Sequence, residues 1–153
     1  MKAGYIIGIF LILIIGTIAC AYAAEATIGD DYKFNLPDGY TMGKHGDDFV
    51  FVENKDNHSI RVSQTDISGG NDAMVSRYKS AGFDIKENDT INENGKEIFF
   101  VHFIDKGLQA YVYTWNLDDN KTIMAVYGYP EGEPATEWAN SPVKEIHDSL
   151  VEI

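Results

Sequence analysis

KEIFFVHFID (96–105), KG (106–107), LQAYVYTWNL (108–117), DDNK (118–121) and TIMAVYGYP (122–130) follow one another without interruption. Three runs rich in Val, Ile, Phe, Tyr and Trp are separated by two short polar corners, which is the pattern of an antiparallel three-strand meander. With Asp119-Asn120 as a two-residue corner, Trp115 faces Met124, Tyr113 faces Val126 and Tyr111 faces Gly128. An aromatic ring laid across a strand glycine covers exposed backbone. If Lys106-Gly107 turns equally tightly, Ile98, Phe100 and His102 share a face with Trp115, Tyr113 and Tyr111. The other face then holds Phe99, Val101, Phe103, Val112, Ile123 and Ala125. A bulge at Asp105-Lys106-Gly107 would swap the faces of the first strand.

Outward from the meander, Tyr32–Leu36 alternates apolar and polar residues as a half-buried strand does, and Pro37 stops it. Asp38-Gly39 is a turn, Tyr40-Thr41-Met42 starts a short strand, and Gly43–Asp48 reads as a loop. Phe49–Glu53 and Ser59–Ser63 form a hairpin around the corner Asn54–His58. Gly69-Gly70 breaks the pattern. A helix follows, capped by Asn71 or Asp72, with Met74, Tyr78 and Ala81 on one face and Gly82 at C′. Phe83-Asp84-Ile85 leads into a polar stretch, Lys86–Gly95, that turns into the meander at Asn92–Gly95. Beyond it, Glu131–Asn140 is a loop or irregular helix. Ser141-Pro142 then starts a helix with Val143, Ile146 and Leu150 on one stripe. Strands that pair locally, with helices between the sets, define an α+β domain with a mostly antiparallel sheet of about six or seven strands. Because the meander strands are apolar on both faces, helices are expected on both sides of the sheet.

The chain has 153 residues, with 12 Lys plus Arg against 24 Asp plus Glu and a net charge of −12. This length suits one domain, which buries roughly two-thirds of its unfolded surface. Such acidity repels phosphate backbones and anionic lipid, so nucleic acid is not an expected partner.

Residues 1–23 carry an export pattern: Lys2, an apolar run Tyr5–Ile15, and Ala21-Tyr22-Ala23 with small residues at both specificity positions, so that cleavage falls after Ala23. Two other readings of the same stretch stand beside it. Uncleaved, Ala3–Ala24 is long enough for a bilayer that needs about 20 residues, with Lys2 left inside. Alternatively, Thr17-Ile18-Ala19-Cys20 is similar to a lipoprotein box, with Cys20 acylated. In each case residues 24–31 act as a tether and 32–153 form an extracytoplasmic domain, secreted or anchored on the outer face of the membrane. Cys20 is the single cysteine, so the exported domain has to rest on its core alone.

Chemistry-bearing patterns are sparse. His45, His58, His102 and His147 stand apart without zinc-ligand spacing, and His58 and His147 read as solvated. The pairs Asp30-Asp31, Asp47-Asp48 and Asp118-Asp119 lack calcium-loop spacing and read as turns. There is no G-x-S-x-G and no phosphate loop. No catalytic residue, metal site or cofactor is therefore assigned. The polar-tipped aromatic face, His102, Gln109, Tyr111, Tyr113 and Trp115, is the candidate binding face, since Tyr and Trp are frequent at interfaces. The alternative is a sheet core with its hydroxyls at the edge. Asn57, Asn88 and Asn120 begin sequons at corners between strands, where an exported protein is open to glycosylation.

Phe34-Asn35-Leu36-Pro37-Asp38-Gly39-Tyr40 resembles the opening strand, proline and aromatic of the PsbP-like superfamily. Asn94-Gly95-Lys96 entering a meander, and the closing Val143–Ile153 helix ending in Ser149-Leu150-Val151, are also similar. That superfamily holds photosystem extrinsic subunits, a Ran-binding nuclear relative and bacterial exported proteins. The resemblance implies an antiparallel sheet between helices and a role in binding or assisting; it transfers no functional residue. The expected function is a small non-catalytic binding or accessory module at the cell envelope, with an envelope protein or small ligand as partner. A structural or adhesive surface protein is the alternative, and an envelope hydrolase the third reading.

Overall fold

The computed structural model describes residues 24–65, 71–118 and 121–153. The leader, with Cys20 and Ala23, and the sequon residue Asn120 lie outside them. In chain order the elements are β1 (Glu25–Ile28), β2 (Tyr32–Asn35), β3 (Thr41–His45), β4 (Phe49–Glu53), β5 (Ser59–Thr65), α1 (Asn71–Ser80) and β6 (Asp84–Glu93). They continue with β7 (Lys96–Asp105), β8 (Leu108–Asp118), β9 (Lys121–Pro130), a 3-10 turn (Trp138–Asn140), α2 (Pro142–Ser149) and β10 (Val151–Glu152). A seven-stranded sheet has the order β3-β4-β5-β9-β8-β7-β6, and a three-stranded one the order β1-β2-β10. Every pairing is antiparallel. The mostly antiparallel α+β domain read from the sequence is therefore the observed fold class.

The meander is the centre of the large sheet. Lys106 (φ 48°) and Gly107 (φ 82°) form the tight turn between β7 and β8, a left-handed pair of the kind that matches strand twist. Ile98 consequently pairs with Trp115, Phe100 with Tyr113 and His102 with Tyr111, as the sequence reading has it. The next hairpin differs. Asp118 pairs with Lys121, but Leu117 is an extra residue on β8, so Trp115 faces Ile123, Tyr113 faces Ala125 and Tyr111 faces Tyr127. One bulge moves the whole of β9 by one position. Ile123 and Ala125, assigned from sequence to the aliphatic face, join Tyr127 and Tyr129 under the aromatic one. Gly128 faces Ala110 instead of Tyr111.

Two apolar clusters line the large sheet. In one, Met74 of α1 packs with Phe99, Val101, Phe103 and Val112, and Tyr78 and Phe83 close its rim. The helix ends in a Schellman motif: Phe83 N–H donates to Tyr78 O (3.1 Å) and Gly82 N–H to Lys79 O (3.0 Å). Gly82 stands at φ 88°, where a Cβ is costly. The other cluster joins Val50, Val52, Ile60 and Val62 to Ala26, Ile28 and Phe34 of the small sheet and to Val143 and Ile146 of α2. Ser141 caps α2 by accepting from Val143 N–H at 3.2 Å, with Pro142 at the first helical position.

Four expectations differ from the observed structure. Residues 25–28, read within the tether, form β1, because Ala26 and Ile28 are buried against the large sheet. Of the helices expected on both sides of the sheet, α1 packs on one, whereas the other side is closed by the three-stranded sheet and the segment 131–140, with α2 beside them. The polar stretch from Lys86 is the body of β6, an edge strand paired on one side and otherwise exposed, which hides it from an apolar-pattern search. Likewise β3 runs on to His45, inside the segment read as a loop.

Candidate functional site

The predicted binding face is built as predicted but is closed. His102 is 7 % exposed, Gln109 5 %, Tyr111 4 %, Tyr113 1 % and Trp115 3 %. Residues 131–140 cross over it as a strap, and α2 seals the end. Trp138 of the strap leans on Tyr113 with ring centroids 5.1 Å apart, and His147 of α2 meets Trp115 edge-on at 5.1 Å. The strap is tied down by polar bonds. Gln109 Nε2 donates to Glu131 O (3.1 Å) and Glu133 O (2.5 Å), Thr136 N–H donates to Tyr129 Oη (3.0 Å), and Trp138 Nε1 donates to Glu93 Oε2 (2.8 Å).

Beneath the strap the polar tips satisfy one another. His102 stacks on Tyr111 at 4.2 Å, nearly coplanar, and its Nε2 lies 3.1 Å from Gln109 Oε1. That contact places the ring proton on Nε2. Burial holds the His102 pKa below its ordinary value. Desolvation, with neighbouring tyrosines adding to it, raises the phenols of Tyr40 and Tyr111 far above their ordinary range; burial does the same to Tyr113. Among the described residues no buried side-chain nitrogen or oxygen lacks a partner. Buried and internally bonded, this face is a polar-tipped core.

The histidines read as solvated are not. His58 is held between Tyr127 Oη (2.8 Å from Nδ1) and Glu133 Oε2 (2.7 Å from Nε2), and stacks on Tyr129 at 5.3 Å. The side chain of His147 is 8 % exposed, with Nδ1 3.0 Å from Asp148 Oδ1. Neither burial is visible in sequence, since both depend on the strap and α2 closing over the sheet. Asn57 does sit at an exposed corner, with φ 62°. Asn88, by contrast, lies mid-strand on the exposed edge β6, opposite Val101. Among the described residues, no group of three or more His, Cys, Asp or Glu side chains converges as a metal site would require.

The open site lies elsewhere, at the other end of the sheet. Gly43, Lys44, Phe49, Phe51, Glu53 and Arg61 line a groove of about 560 Å³ formed by β3, β4 and β5. Strand alternation builds it: Val50 and Val52 point into the core, so Phe49 and Phe51 of the same strand point out and stay half-exposed. Gly43 completes the floor, because a Cβ there would approach Phe51 Cδ1 to 3.0 Å. The Arg61 guanidinium lies over Phe49, 4.6 Å from the ring centroid, an arrangement worth about 0.5–1 kcal/mol at an exposed site. The sequence signal for it was the apolar pattern on both sides of Phe49–Val52 beside a strand that is apolar on one side only.

No protein-family model matches the chain, and no curated protein matches it in sequence. Among solved structures it is similar to a crystal structure of a protein from Bacteroides thetaiotaomicron VPI-5482, at 15 % identity and a TM-score of 0.54. The match covers 86 % of this chain and 48 % of that one, so this chain spans about half the length of its structural neighbour. At that identity the likeness is one of fold.

Proposed function

We propose that this chain is a small non-catalytic binding or accessory module that works outside the cytoplasm, through the groove of β3–β5 instead of the meander's aromatic face. The single observation behind it is the contrast in burial: the tyrosine-rich face is buried and satisfied internally, whereas Phe49 and Phe51 stay only partly buried beside Lys44 and Arg61. Half-exposed aromatics next to Arg are the usual centres of recognition surfaces. Export rests on the leader pattern of residues 1–23, and among the described residues no helix is long and apolar enough to cross a membrane. In this reading the chain serves as the exported members of the PsbP-like superfamily do, binding or assisting. A self-associating surface protein is the second reading, favoured by the two exposed sheet edges β3 and β6.

The test is in the expressing cell. A photo-cross-linking residue replaces Phe51 in one strain and Asn88 in another, and external protease is applied to intact cells. The reading expects protease access and a discrete adduct from position 51 that position 88 does not give. Cytosolic, unprocessed chain with no adduct at position 51 refutes it.

A further inference from the structure

The same groove borders the sheet's free edge, and together they define a partner. We infer that β3 and the groove receive an extended, carboxylate-bearing peptide segment that adds as an eighth strand beside β3; this deepens the binding-module reading and rests on it. Three observations carry the inference. First, β3 ends the order of the large sheet and all five of its residues are exposed. Among the described residues one side of its backbone has no sheet partner, which is the template that strand addition uses.

Second, β3 is notched. Its register with β4 runs from Met42 opposite Val52 to His45 opposite Val50, three steps against two, so a bulge falls at Gly43-Lys44. With no side chain at Gly43, the path from the edge to the Phe51 ring is open. A side chain of an added strand, pointing to the groove face, passes over Gly43 and rests on that ring.

Third, the charge is inverted. The chain carries two acids for each base, 24 against 12, yet the groove's charged residues are Lys44 and Arg61 against Glu53 alone. Among the described residues neither Lys44 nor Arg61 has an anionic partner within ion-pair distance. Arg61 lies over Phe49, which holds the guanidinium in place while leaving its N–H edges for a carboxylate. The same charges tell against a second copy pairing edge to edge through β3, because the Lys44 side chains of the two copies would be brought close together. An acidic strand satisfies the edge, the notch and the cations at once.

The assay uses a fluorescein-labelled short peptide alternating valine and glutamate, followed by anisotropy against the exported chain. A valine–lysine peptide, an oligogalacturonate and an N-methylated copy of the glutamate peptide serve as comparisons. The inference expects the glutamate peptide to bind, more weakly as salt rises, and to slow hydrogen exchange at residues 41–45. Arg61→Gln and Lys44→Gln should each weaken it about tenfold, with the urea midpoint unchanged for Lys44→Gln and lowered only slightly for Arg61→Gln, which loses its contact with Phe49, and N-methylation should abolish it. Equal binding of the uronate, or of the N-methylated peptide, overturns strand addition but leaves a binding groove. A β3-mediated dimer in sedimentation, or no glutamate-peptide binding, also overturns it. The cellular adduct at position 51 decides the broader reading independently.

Discussion

Gln109→Leu is the substitution through which the strap's anchoring is best measured. The Gln109 side chain accepts from His102 Nε2 at 3.1 Å and donates to the carbonyls of Glu131 and Glu133. Leucine fills much of the same volume and makes none of these bonds. The His102 N–H, at 7 % exposure, is then left in the core without water, which costs about 1–3 kcal/mol. The two carbonyls belong to the partly exposed strap and recover water, adding about 1 kcal/mol together. The expected loss is therefore about 2–4 kcal/mol, read as a fall in the urea midpoint at unchanged slope. The reasoning also fixes the sign of a coupling. His102→Phe keeps a ring on Tyr111 but removes the orphaned donor, so in that background Gln109→Leu should cost about 1–2 kcal/mol less. A single substitution that costs nothing measurable, or a double variant equal to the sum of the two singles, would refute the account of the strap as held by this buried pair.

Three further outcomes follow from the same structure. His102 has its pKa lowered by burial from 6.5; on acidification the unfolded chain takes the proton first, so stability is full above about pH 7 and falls as pH passes below the unfolded value. Urea midpoints across that range should show the decline, and His102→Phe should flatten its contribution. Gly82→Ala meets no neighbouring atom but forces a Cβ into φ 88°, so it should cost about 1–2 kcal/mol, and Gly82→Asn less; midpoints comparable for Ala and Asn would contradict this. Ile146→Ala empties a fully buried site between α2 and the sheets, with an expected loss of about 2–5 kcal/mol in the same assay.

Local chemistry explains most of what could be read in advance. Lys106-Gly107, Asn94-Gly95, Gly82 and Ser141-Pro142 act within a few residues of themselves, and each forms the turn, cap or stop expected of it. The hairpin of β4 and β5 and the three strands of the meander likewise follow from alternation and β-branched or aromatic composition. The β8–β9 register did not follow, because a bulge at Leu117 adds one residue to β8, and alternation alone carries no signal for an inserted residue. The length of β6 was missed, beyond the short strand expected at its start, because an edge strand needs no apolar face to be held by its neighbour.

The candidate site divides along the same line. Strand alternation together with a tight Lys106-Gly107 turn put His102, Gln109, Tyr111, Tyr113 and Trp115 on one face, and pairing between adjacent strands keeps them there. Whether that face meets solvent was settled only by residues 131–140 and α2, which come from later in the chain and lie over it. The groove arises from the converse condition: Phe49 and Phe51 share β4 with core residues, yet among the described residues no segment closes over their side of the strand. Sequence thus determined the β4–β5 hairpin, the meander strands and the side chains that share a face across the Lys106-Gly107 turn. Tertiary structure alone decided which face became interior, since burial depends on what distant segments lay across a sheet.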